Sequence, residues 1–152
     1  MIPALQGGVL PPGIHPGDWK DVEVMFATTP HRRWLLEGLR KALAELARVN
    51  CQAAYLDGSF VTDKVKPGDY DLCWDHTTMT NAELLALDPL FTDPANLDWP
   101  RTAQNTKYRG DLLPNVVEGS SGLLFVDFFQ IDRNVGTPYS KGIVLLDPSR
   151  VP

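Results

Sequence analysis

The sequence predicts one α/β (α+β) domain, a small mixed β-sheet flanked by helices. Three observations predict it. The chain has 152 residues of which 43% are hydrophobic, enough for one core and too little for two. Apolar residues recur at helical spacing in one long segment and in short continuous runs elsewhere. Finally, the 13 prolines and 12 glycines are bunched, which confines regular elements to the stretches between them.

The first 17 residues contain GGVLPPGIHPG, too rich in breakers for a helix or a central strand, and read as an extended arm (1–17) ahead of the domain proper (18–152). Asp18 can cap a short helix carrying Trp19, Val22 and Phe26 on one face. Thr29 and Pro30 then open the clearest helix, with Leu35, Leu39, Leu43, Leu46 and Val49 as its apolar stripe and Asn50 as its end. QAAYLD (52–57) and YDLCWD (70–75) read as neighbouring strands. Thr80 with Glu83 forms a capping box for a helix that stops before Pro89. Prolines at 89, 94, 100 and 114 break up the next segment, leaving room for a short helix near 100–109. GLLFVDFFQID and GIVLLD are expected as two further strands.

Bulk properties exclude some functions. A net charge of −5 offers no bulk basic surface for duplex DNA. No apolar run approaches the roughly 20 residues of a membrane helix, and no leader pattern is visible, so a cytoplasmic location is expected. Cys51 and Cys73 have no metal or redox spacing and are expected to be buried thiols.

The chemistry concentrates in YLDGSFVTDKVKPGDYDLCWD (55–75). Asp69 and Asp71 are separated by one residue, so on a strand they share a face, where two like charges repel. A divalent cation makes that pairing favourable, and magnesium is typically held by one or two carboxylates plus phosphates and water. Asp127, inside LLFVDFFQ, is a third carboxylate in apolar surroundings, costly unless paired or coordinated. Gly58 and Ser59 follow the first strand, where backbone amides and a hydroxyl can hold phosphate oxygens.

The string Gly-Ser, nine residues, then Asp-x-Asp-Leu resembles the signature of the polymerase-beta-like nucleotidyltransferase superfamily, over roughly residues 30–131. More narrowly, LPPGIH, PHRRWLLEGLR, YLDGSFVTDK and KGIVLLD resemble a group of small, functionally unassigned bacterial proteins of that superfamily. The resemblance implies Asp69, Asp71 and Asp127 as catalytic metal ligands for two Mg2+ (or Mn2+) ions, with an NTP as co-substrate. Asp127 would also help deprotonate the incoming hydroxyl. It implies phosphate binding by Gly58 and Ser59, for which Lys64, Lys66, Lys107, Arg109 and Lys141 are the candidate basic partners. Two departures stand out. Asp57 precedes Gly58 where an apolar or small residue is usual, and reads as a turn residue or as a partner behind the site. The loop after Ser59 carries lysines but no arginine.

The implied activity is transfer of a nucleoside monophosphate from an NTP to a hydroxyl on a protein or RNA acceptor, in the setting of a toxin–antitoxin or defence module with a toxin partner. The alternative is a fold retained without catalysis, as a binding or antitoxin subunit. A nucleic-acid-binding domain without catalysis is disfavoured, since no aromatic and basic stripe is present.

Overall fold

A computed structural model describes residues 1–152. Asp18 caps α1 (Trp19–Phe26) through a reciprocal box with Asp21. Thr29 accepts from the Arg32 amide at the start of α2 (Pro30–Arg48), and Asn50 ends it in the left-handed region at φ 63°. One five-stranded sheet follows from β1 (Gly13–Pro16), β2 (Ala54–Asp57), β3 (Tyr70–Trp74), β4 (Gly110–Pro114) and β5 (Gly142–Leu146), in the order β1-β5-β2-β3-β4. β2 runs antiparallel to both its neighbours, whereas β1–β5 and β3–β4 are parallel. The expected mixed sheet flanked by helices is therefore what the chain forms. The proline-rich arm contributes β1, and only at a sheet edge, where a proline's missing N–H costs no ladder bond.

The two sheet faces differ. Leu56, Tyr70, Leu72, Leu112, Val144 and Leu146 point to the main core, against the α2 stripe of Leu35, Leu39, Leu43 and Leu46. A fully buried leucine of this kind contributes about 2 kcal/mol. Alternate residues point the other way, and there the apolar cluster is small: Cys73, Leu113, Ile143 and Phe129. The rest of that face is where polar side chains of the strands emerge.

Between β3 and β4 lie α3 (Asn81–Ala86), with its Thr80–Glu83 capping box, α4 (Pro94–Leu97) and α5 (Thr102–Tyr108). The segment expected as the strand GLLFVDFFQID is instead a helical turn, α6 (Phe125–Phe128), within an irregular stretch. Its aromatic rings explain the change: Phe125 packs on Phe128 and Phe129, three and four residues on, which is helical spacing. The Val126 amide is also taken by the Asn115 side chain. The strand that occupies the expected place beside β3 is β4, in RGDLLP. Both cysteines are free and buried, as expected. No helix is long and apolar enough to cross a membrane.

Candidate metal and phosphate site

Sheet register builds the site. Asp57 on β2 stands opposite Asp71 on β3, and Asp71 stands opposite Asp111 on β4. Since Leu56, Leu72 and Leu112 face the main core, these three aspartates share the other face and form a row across three strands. Asp69, two residues before Asp71, joins them from the β3 entrance. Carboxylate oxygens of Asp69, Asp71 and Asp111 all lie within 4.8 Å of one another.

The row is flanked by cations at its ends and has none in the middle. Lys141 Nζ lies 2.9 Å from Asp57 Oδ1, with both side chains largely buried. Arg101 Nη1 donates to Asp111 Oδ2 at 3.1 Å, and Asn105 Nδ2 donates to Asp111 Oδ1 at 2.7 Å. No ion pair or side-chain hydrogen bond engages Asp71. Burial, reinforced by Asp57, Asp111 and Asp69, pushes its carboxyl up to about 7. Burial and the nearby Asp111 likewise raise Asp69. Asp57 is raised too, because desolvation outweighs the pull of Lys141. Like charges brought together out of water are destabilising until something positive joins them.

Gly58 closes the turn after β2 at φ 88°, and a Cβ there would meet Asp71 Oδ2 at 2.8 Å. Only glycine satisfies both conditions. Ser59 begins a 3-10 turn (Ser59–Val61) directly beside the row. The following loop is held by Arg32, a residue on the buried side of α2. Its guanidinium donates to the carbonyls of Phe26 (3.1 Å), Phe60 (2.7 Å), Thr62 (2.8 Å) and Lys64 (2.5 Å). The arginine missing from the loop is thus supplied beneath it, and it binds backbone.

A cleft of about 510 Å³ opens over these groups. Asp57, Gly58, Ser59, Lys64, Asp69, Asp71, Asp111 and Lys141 line it from the strands and their loops, and residues of the 128–134 segment, among them Phe128, Phe129, Asp132 and Arg133, complete the lining. A row of acids beside a serine turn and several basic groups is suited to a polyanion bound through a cation.

The expected site residues therefore separate into two groups. Asp69, Asp71, Gly58, Ser59, Lys64 and Lys141 come together. Asp127 does not: it lies in α6, is absent from the cleft lining, and its place as third carboxylate is taken by Asp111. Lys107 is bound to Asp88 at 2.6 Å, and Arg109 stacks on Trp34 with its guanidinium carbon 4.3 Å from the ring centre. Lys66 is exposed outside the cleft lining. Asp57, expected chiefly as a turn residue, is the last residue of β2 and the partner of Lys141. Sequence reasoning missed Asp111, Arg101, Asn105, Arg32 and Arg133. A signal for Asp111 existed: Asp111-Leu112-Leu113 repeats the Asp-Leu pattern of Asp71-Leu72-Cys73, as expected of a strand lying in register beside it.

The chain belongs to a family described as a family of unknown function (DUF6932), whose model matches residues 3–147. No curated protein matches it. No solved structure matches it either.

Proposed function

We propose that the protein is a metal-dependent nucleotidyltransferase that transfers a nucleoside monophosphate from an NTP to an acceptor hydroxyl, releasing pyrophosphate. The observation that carries this reading is the convergence of Asp69, Asp71 and Asp111 beside the Gly58–Ser59 turn. The donor set is three carboxylates with no sulfur or imidazole, which suits Mg2+ or Mn2+. Such an ion, when bound, neutralises charge on the phosphoryl oxygens.

The chain's own groups do the rest. Asp69, Asp71 and Asp111 hold the cation, and the catalytic role expected of Asp127 passes to Asp111. The Ser59 hydroxyl and neighbouring amides hold the terminal phosphates. The Lys141 ammonium has three donors; one is committed to Asp57 and the others are free for an anion in the cleft. Lys64 and Arg133 add charge at the rim. Orientation and charge neutralisation are the main catalytic contributions.

On this reading the acceptor is a hydroxyl on a protein or an RNA. A cytoplasmic setting suits two free thiols, and a toxin–antitoxin or defence context follows from the resemblance alone. The competing reading is a non-catalytic binding or antitoxin subunit. One observation favours it: Lys141 and Arg101 already neutralise the two outer carboxylates of the row.

Calorimetric titration with Mg2+ or Mn2+ and each NTP separates the two. Binding that disappears on replacing Asp69 and Asp71 together by alanine supports the enzyme, and labelled NTPs in cell lysate then reveal the acceptor. Absence of any heat in the native protein sinks it.

A further inference from the structure

We propose that Arg101 is a resident counter-cation of the carboxylate cluster, positioning Asp111 in the metal-free protein and competing with an arriving divalent ion for it. The inference rests on the reading that Asp69, Asp71 and Asp111 hold a cation.

Both oxygens of Asp111 are engaged from α5 and the residue that precedes it. Oδ2 accepts from Arg101 Nη1 and Oδ1 from Asn105 Nδ2. The two donors are themselves tied together, since the Arg101 carbonyl accepts from the Asn105 amide at 3.0 Å and from its side chain at 3.2 Å. Arg101 Nε is fixed by the Leu97 carbonyl at 2.9 Å. The guanidinium is thus held by backbone on one side and delivered to Asp111 on the other, with only 16% of each side chain exposed. Arg101 also takes a left-handed conformation, φ 55°, which is uncommon for a residue with a Cβ and persists where the surroundings impose it.

The other cation at the row behaves differently. Lys141 pairs with Asp57, which is not one of the three converging carboxylates, so its charge stands beside the cluster. Arg101 sits on one of them. A carboxylate oxygen has a lone pair to spare, so Asp111 can keep Asn105 while binding a cation. A guanidinium and a divalent ion on the same carboxylate repel strongly in a low-dielectric site. Asn105 therefore orients Asp111 without opposing a metal, while Arg101 orients it and opposes one. The neighbouring Asp71, deep in the cleft and without a partner, supplies the pull that lets the ion win.

Removing the charge and removing the orientation must then have opposite signs. The full chain, near pH 7.5 and without nucleotide, is titrated with Mn2+ alone and followed by calorimetry or by the signal of free Mn2+. Arg101→Gln, which keeps a donor and loses the charge, is expected to bind about fivefold more tightly than the native protein. Arg101→Lys stays within about twofold, since its charge is retained. Asn105→Ala binds more weakly. Equal or weaker binding by Arg101→Gln overturns the inference while leaving the metal site standing. No Mn2+ binding by the native protein or by Arg101→Gln overturns both. Should Arg101→Gln fail to fold, the native protein still decides: Mg2+ must shift the Arg101 side-chain nitrogen resonances, and saturation with Mg2+ without such a shift refutes the competition.

Discussion

The cleft has two walls made in different ways. The sheet wall carries Asp57, Asp71 and Asp111 in fixed register across three strands, and its turn and loop are pinned by buried cations. The other wall, residues 131–134, is a surface loop closed by local bonds: the Asp132 amide donates to Ser140 Oγ at 2.7 Å, and the Asn134 amide donates to Asp132 Oδ1 at 2.9 Å. Groups that must meet one cation cannot be mobile, whereas groups that meet only the outside of a ligand can be. Stability and site geometry should therefore be coupled in the first wall and independent in the second.

The largest effect is expected at Arg32. Arg32→Ala strips four carbonyls of their donor beneath the loop after Ser59. The Phe26 and Phe60 carbonyls are orphaned in the interior, at on the order of 1–3 kcal/mol each, while water reaches those of Thr62 and Lys64, so a loss of about 4 kcal/mol is expected in urea unfolding. Lys141→Met comes next. It leaves Asp57 buried and unpaired, for a cost of about 3 kcal/mol. If either variant unfolds at the native midpoint, the sheet wall is not held by its cations.

Most of the sheet wall was legible and most of the loop wall was not, for physical reasons. β2, β3 and β5 are buried on at least one face and carry short apolar runs with clear turn residues, so strand and register leave a local trace. The Thr29-Pro30 and Thr80/Glu83 caps are local as well. LLFVDFFQ is apolar in every direction, so it shows no period of two; what decides it is the packing of Phe125 on Phe128 and Phe129 and a side-chain bond from Asn115, neither visible locally. Asp111 was hidden for the converse reason. Its strand is short, begins after a left-handed Arg109 and ends on Pro114, and its one local trace is the Asp-Leu pattern it shares with β3. Arg32 resembles any other basic residue on a helix until the loop it supports is in place. Asp127→Asn tests the reassignment directly: metal affinity should be unchanged, while Asp111→Asn should reduce it at least tenfold.

A smaller effect tests the middle of the row. Asp71 titrates near 7 in the folded chain, surrounded by Asp57, Asp69 and Asp111 with Lys141 nearby, and near 3.8 when free of them. The folded state therefore holds a proton that the unfolded state releases. This contribution is complete below about pH 4 and is lost as pH rises through 7. With chelator present, unfolding free energy should fall by about 2 kcal/mol between pH 5 and pH 8, allowing for partial solvent screening. Asp71→Asn should flatten that slope, and Mn2+ should reverse it. A stability that rises over the same interval with chelator present would mean that Asp71 is already compensated.

The smallest stability effect, and the sharpest contrast, belongs to the loop wall. Arg133 is exposed, lies at the rim of the cleft and makes no ion pair. Its removal disturbs no buried group, so Arg133→Ala should leave unfolding free energy within about 0.5 kcal/mol of native. On the proposed function it faces the phosphates, and a partly exposed charge there is worth about 1 kcal/mol, or roughly fivefold in NTP affinity, weakening as salt is raised. Calorimetry at two ionic strengths, paired with a thermal melt, reads both quantities. Unchanged affinity with unchanged stability would place the ligand against the sheet wall alone. A loss of stability would show that residues 131–134 brace the fold, and the division between a fixed wall and an adjustable one would have to be given up.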